Sequence, residues 1–365
     1  MDQKEDSINQ SHTFTGNIYI FQAFDVGDDI NLEQIKDLKK LQVKQLSLPK
    51  YFKHYDKPLA VNLPNKDESP ACISTKIHNF GAVSFTYKIP FSDTLKNIRK
   101  NLDAIDHGFE TQSVNDLKAV YNAIKSTIKK PYFYQTRLSY LLIQVDPQPA
   151  VFSDTVQLKE AYGNMIASML RFETESLSEA QVSEILESTM GYFRGDLIVV
   201  DTGASFAYDS EYEEILDLFE FANIQQLELQ YFDHTLDTQL NALYEGKVGK
   251  LSPKAYIPFI GTLSSSPVDD LGKLRVDISV ITERLESSIK FAGEPYFSEL
   301  YELLTNKLDL KNWKEGIERK LSIIQDIRQV FQHKVDYARE DLLSVLITIL
   351  ILIELIVGLL SYFKQ

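Results

Sequence analysis

The chain has 365 residues, room for two domains and a substantial core, and its 52 acidic against 38 basic residues leave a net charge of −14. That balance argues against a duplex-binding or anionic-membrane surface over most of the chain. A single cysteine, Cys72, rules out an internal disulfide and a cysteine-rich zinc site.

The opening residues, MDQKEDSINQSHTF, are polar and mixed in charge, unlike a signal peptide or an arginine-rich transit peptide. Residues 1–13 are therefore expected to be disordered, and the bulk of the chain to stay in the cytosol. Residues 17–24 (NIYIFQAF) read as a strand, followed by an acidic turn at 25–29 and a short amphipathic helix over 32–41. Residues 58–71 hold three prolines and no sustained period, which reads as irregular. Residues 72–77 and 82–87 form an expected strand pair, bridged by His78, Asn79, Phe80 and Gly81. Ser92, and Ser113 with Asp116 three residues on, mark two helices over about 92–104 and 113–128. Within 132–145, SYLLIQV alternates too weakly for a surface strand and belongs at the centre of a sheet. Helices over 157–172 and 178–192 follow; Ser178 and Gln181 open the second as a capping box, with Leu177 and Val182 as its hydrophobic staple. Residues 196–208 (DLIVVDTGASFAY) read as a hairpin around Asp201, Thr202 and Gly203, the glycine free to take positive φ. A mixed strand and helix domain is expected over 14–208.

The character changes at Ser210, which forms a second capping-box pattern with Glu213. Leu218, Ala222, Gln225, Leu229, Phe232, Leu236, Leu240 and Leu243 recur at spacings of three and four, a seam for another helix. Acidic residues crowd 209–220, where the helix dipole favours those nearest the start. After a loop rich in Gly, Pro, Ser and Lys over 245–270, a second seam runs through Leu271, Leu274, Ile278, Ile281, Leu285 and Ile289. Gly293 and Pro295 separate it from a short helix to about residue 304. Asn312 and Glu315 cap the last helix, striped by Ile317, Leu321, Ile324, Val330 or Phe331, and Val335. Two long seams on either side of a loop predict an antiparallel, coiled-coil-like pair within 209–341. No glycine or proline occurs between Ile317 and Val357, so the last helix is expected to run on into the tail.

That tail, residues 342–360, reads LLSVLITILILIELIVGLL, with one ionisable member, Glu354. At ~1.5 Å per residue it measures ~28 Å, about the hydrocarbon thickness of a bilayer. Tyr362, Phe363 and Lys364 suit the interface. Residues 342–361 are expected to cross a membrane once, as a tail anchor. A carboxylate near mid-bilayer is neutralised, paired or set against protein. Gly358 lies one turn on, with Ile347 and Ile351 on roughly the same side, so Glu354 and Gly358 are the candidate face of an intramembrane helix contact.

The seam helix LDLFEFANIQQLELQYFDHTLDTQLNALYE (216–245), the apolar tail with its internal glutamate and the helix-rich region before it resemble a conserved domain of unknown function. It is shared by the yeast required-for-meiotic-nuclear-division proteins, their mitochondrial relatives and many bacterial proteins. The resemblance covers residues 71–363, most clearly 160–245 and 314–360, and rests on apolar and aromatic patterns. It implies a C-terminal transmembrane segment. For the mitochondrial members it implies an inner-membrane setting, support of organellar translation and assembly into oligomers. The absence of a presequence points to a bacterial member, and the resemblance lends no catalytic residues.

Site signals are sparse. Asp233, His234 and Asp237 share a helix with Glu228 upstream, and Asp233 and Asp237 lie one turn apart. A divalent metal accepts such residues but needs three or more convergent ligands, so the group reads as polar residues on the surface beside the hydrophobic seam. Gly191, Gly195 and Gly203 match no phosphate-loop pattern, and FRGD (193–196) reads as a turn. No G-x-S-x-G, H-E-x-x-H or C-x-x-C is present. No catalytic, cofactor-binding or metal-ligating residue is predicted. The expected fold is α+β, a mixed N-terminal domain followed by long antiparallel helices and a single C-terminal transmembrane helix. The expected function is a membrane-anchored, non-enzymatic scaffold. Its partners would be the lipid bilayer, further copies of itself and a protein the sequence does not name, with no direct nucleic-acid binding. Most of the chain would face the cytoplasm. The rival reading is a membrane-tethered hydrolase or nucleotide-dependent enzyme whose site is assembled from dispersed residues.

Overall fold

The computed structural model describes residues 12–52, 57–244, 267–287 and 294–363. Residues 1–11 of the stretch expected to be disordered, residues 245–266 of the expected loop, and Ile289 lie outside them.

The strand β1 (Phe14–Asp25) is apolar on both alternations over much of its length, the pattern of a strand covered on both faces. It pairs antiparallel with β5 (Ala82–Asp93) on one side and β7 (Arg137–Val145) on the other, with Ile18 opposite Ile89 and Ile143. Beyond β5 come β4 (Cys72–Ile77) and β3 (Leu59–Ala60); beyond β7 come β10 (Ala204–Tyr208), β9 (Leu197–Val200) and β8 (Thr189–Met190). Among these neighbours β7 and β10 run parallel and the other pairs antiparallel. A parallel pair needs a crossover, here made by α3 (Thr155–Leu170) and α4 (Glu179–Glu187). A separate small sheet joins β2 (Asp29–Ile30) to β6 (Ile128–Lys129).

Helices cover both faces. Phe14, Ile18, Ile20 and Phe24 of β1, with Leu141, Ile143 and Val145 of β7, form a core with α2 (Leu95–Ile124), α3 and α4. On the opposite face α5 (Glu213–Tyr244) lays Phe219 over Phe21 at 6.4 Å and over Tyr140 at 5.9 Å. Asn223 Nδ2 donates to the Phe21 carbonyl at 3.2 Å. Each such buried aromatic contributes ~1.5–3 kcal/mol.

Local signals are corrected at several points. One helix, α2, replaces the two expected between 92 and 128. Thr94 caps it, accepting from the Asn97 amide at 3.2 Å, while Ser92 still belongs to β5. Ser113 lies inside the helix and donates back to the Glu110 carbonyl at 2.9 Å. Its companion Asp116 is a buried hub, accepting from Ser69 Oγ (2.7 Å), Tyr87 OH (2.8 Å), and Asn65 Nδ2 and Gln112 Nε2 (3.0 Å each). A Ser-x-x-Asp pattern caps only where the helix has not already begun.

The first short helix, α1 (Leu32–Leu38), stops early because Lys39 is left-handed, with φ 50°. Residues 58–71, expected to be irregular, hold β3 and a short turn of 3-10 helix at Lys66–Glu68. The helix expected over 178–192 ends at Glu187, since Thr189 and Met190 pair with Val199 and Ile198. Gly203 turns its hairpin without positive φ; an added Cβ would lie 3.3 Å from Phe172. Ser210 lies three residues ahead of α5, which begins at Glu213, and beside it Asp209 Oδ1 accepts from the Glu211 amide at 2.8 Å. The last helix, α8 (Leu310–Tyr362), begins before Asn312, whose Nδ2 donates to Asp309 Oδ1 at 2.6 Å.

The chain divides into two compact units, residues 1–231 with 283–314, and 232–282 with 315–365. The boundary expected at 208/209 lies within the first, which holds the sheet, α5 as far as Tyr231, and α7 (Pro295–Lys307). There α5 is buried at every position from Leu218 to Gln225, so the seam marks only one of its covered faces. In the second unit the predicted stripes are buried at Phe232, Leu236 and Leu240 of α5, at Ile278 of α6 (Pro267–Ser287), and at Ile317, Leu321 and Ile324 of α8. Val330 is exposed. The side chains of Leu243, Leu271, Leu285, Phe331 and Val335 lie outside the described residues. Lys320 of α8 meets Asp233 and Asp237 of α5 at 2.6 and 2.7 Å, and Gly272 of α6 lies against Arg328 of α8. From Asp341 to Phe363 every residue of the chain is exposed.

Candidate functional site

Strands covered on both faces are ordinarily apolar throughout, yet the sheet beneath α5 carries Lys76 on β4, Ser84 on β5 and Asp25 at the end of β1, all buried. On α5, Asp217, Glu220, Ile224, Glu228 and Tyr231 follow one stripe at helical spacing. Two buried polar clusters result.

The first centres on Lys76. Its Nζ meets Asp217 at 2.7 Å and Glu220 at 2.5 Å. Burial alone would lower the ammonium, but the Glu220 and Asp217 carboxylates outweigh it and hold the group above its ordinary range. Burial raises Asp217, and Lys76, shared between two carboxylates, only partly opposes the rise. Ser84 Oγ donates to Glu220 Oε1 at 2.6 Å, so His78 Nε2, 3.1 Å from Ser84 Oγ, is the donor in that contact. Burial, with the Lys76 charge adding, lowers His78 to about 3 and keeps it neutral. A histidine whose Nε2 carries a hydrogen takes no proton from the hydroxyl it faces. Ser84 and His78 are therefore not a nucleophile and its base. Among the described residues, Leu48, Phe52, Pro58, Phe221 and Ile224 line a gap of about 10 Å³ beside Lys76, room for one water.

The second cluster joins Asp25, Tyr132, Glu228 and Tyr231. Tyr132 donates its hydroxyl to Asp25 Oδ2, the Gly27 amide approaches Oδ1 at 3.4 Å, and Tyr231 stacks on Tyr132 at 6.2 Å. Beside the β9–β10 turn, Asp201 is fully buried against Arg171 at 2.6 Å, with Lys307 at 3.8 Å.

The residues singled out from sequence fall into separate places. Glu228 is buried with Asp25, whereas Asp233 and Asp237 converge on Lys320 and His234 is exposed. Glu354 and Gly358 are exposed on α8, and a Cβ at Gly358 would meet nothing within 4 Å. Among the described residues no three metal-ligating side chains converge. Sequence reasoning missed Lys76, Ser84, His78 and Tyr132, and took Asp217 and Glu220 only as residues near a helix start. The available signal was polarity on strands otherwise patterned for burial.

These features define a class, a mixed α/β domain followed by long helices, the last ending in an exposed apolar run. The chain belongs to the family described as "Uncharacterized protein MJ0711, N-terminal domain", which it matches over residues 15–214, from β1 to the first turn of α5. It is similar to the uncharacterized protein MJ0711 of Methanocaldococcus jannaschii, 26% identical over 218 residues. That match covers 57% of this chain and 63% of the relative, so the chain spans less than two thirds of the relative's length. No solved structure matches it. None of these matches bears on the resemblance to the meiotic-nuclear-division domain.

Proposed function

We propose that the protein is a membrane-anchored, non-enzymatic interaction module, held by one C-terminal span and self-associating, with its α/β unit on the cytoplasmic side. The observation that carries this reading is the exposure of every side chain from Leu342 to Leu360, an apolar run that water does not tolerate and that no described element covers. Glu354, with Gly358 one turn on, supplies the face for a second copy, since a lone carboxylate in hydrocarbon needs a partner. The non-enzymatic part is supported by the first cluster, where Lys76, Asp217, Glu220 and Ser84 are spent on one another. The resemblance to the meiotic-nuclear-division domain, itself a proposal, agrees with the span.

The test is extraction. The intact protein should stay with membranes through carbonate and high salt and should need detergent, whereas a chain ending before Asp341 should be soluble. Intact protein in the carbonate supernatant would remove the anchor.

A further inference from the structure

Asp25 and Glu228 are each 1% exposed, and neither meets an ammonium or guanidinium among the described residues. Asp116 shows how this fold satisfies a buried carboxylate, with four donors gathered on it. Asp25 has only Tyr132 and a long contact from Gly27, and Glu228 Oε1 has no hydrogen-bond partner. Two buried carboxylates so short of donors need either a counter-charge or a proton that neutralises them. We propose that Asp25 and Glu228 are a proton-binding pair, holding at least one proton between them at neutral pH, and that losing it loosens the seat of α5 on the sheet.

Burial pushes Asp25 up to about 7, with Asp28 adding to the rise and the Tyr132 and Gly27 hydrogen bonds opposing it. Burial drives Glu228 well above the ordinary carboxylate range, and the Asp25 charge adds to this. The other charged or titratable groups facing the pair are Asp28, itself paired with Lys130 at 2.6 Å, and the phenols of Tyr132 and Tyr231. The sign follows from linkage. Both groups are raised above unfolded values near ~4, so the folded chain holds protons that the unfolded chain has released. The stabilisation is complete below about pH 4 and is lost as pH rises through about 7 and beyond. Glu228 lies one turn before Tyr231, where α5 passes from the first unit to the second, so a proton bound here governs how firmly the first unit holds that helix.

The experiment uses the full chain in detergent, with thermal unfolding followed from about pH 5 to pH 8.5 for the parent, Glu228→Gln and Asp25→Asn. Glu228→Gln mimics the protonated state. Its Tm should lie nearest the parent's at pH 5 and exceed it by a margin that grows to a few degrees above pH 7, and Asp25→Asn should likewise flatten the profile. Parallel profiles overturn the proposal. Native-state amide exchange in the parent needs no variant to fold. After correction for the intrinsic pH dependence of exchange, protection at residues 224–231 should fall between about pH 6 and pH 8.5 while that of β7 holds; equal change in both overturns it.

Discussion

Lys76 is one buried ammonium shared by two carboxylates, on the second strand from the edge of the sheet, and its removal leaves both without a counter-charge. Lys76→Met should cost ~3–5 kcal/mol in denaturant unfolding. Removing the whole group, with Asp217→Leu, Glu220→Leu and Ser84→Ala added, should cost much less, because no charge is then stranded; equal losses for the two variants would deny that charge is what matters here. Such a cluster leaves little trace in sequence because its members are far apart in the chain. Lys76 and Glu220 are separated by 144 positions, and neither shows a spacing that betrays the other. Asp25 was legible as an acidic residue at a strand end, but nothing local ties it to Glu228. Only Glu228 among these residues entered the candidate group, and there beside Asp233 and Asp237, from which the fold separates it.

At the level of elements the legible part was what periodicity and burial share. β1, the β4–β5 pair, the central place of β7, the hairpin at Asp201 and the buried stripes of α5 and α8 all follow apolar spacing. Boundaries were less legible because caps are read from a few polar residues, and those residues serve equally as tertiary hubs. In α2, Ser113 and Asp116 looked like the start of a second helix, after one ending near residue 104. As an exposed residue inside a continuous helix, Gly108 has open space around its Cβ position. Gly108→Ala should therefore stabilise the protein by ~0.5–1 kcal/mol. If residues 105–112 were instead a linker between two helices, urea unfolding would show no gain.

For the whole molecule the proposed contact between copies lies in the tail. Gly358→Leu should leave the membrane fraction unchanged and reduce the crosslinked oligomer, since the added side chain holds helices apart. Glu354→Leu makes the run more apolar and should insert at least as well; unchanged oligomer in both would move assembly to the soluble helices. The order of the sheet has a separate consequence for how the protein comes into being. β1 leaves the ribosome first, yet it is the middle strand, and its neighbours are residues 82–93 and 137–145. Until both are made, an apolar strand with two unpaired edges must wait, and each pairing then closes a long loop against chain entropy. Folding should accordingly be slow for a chain of this size, and the half-made protein should be the form most dependent on chaperones.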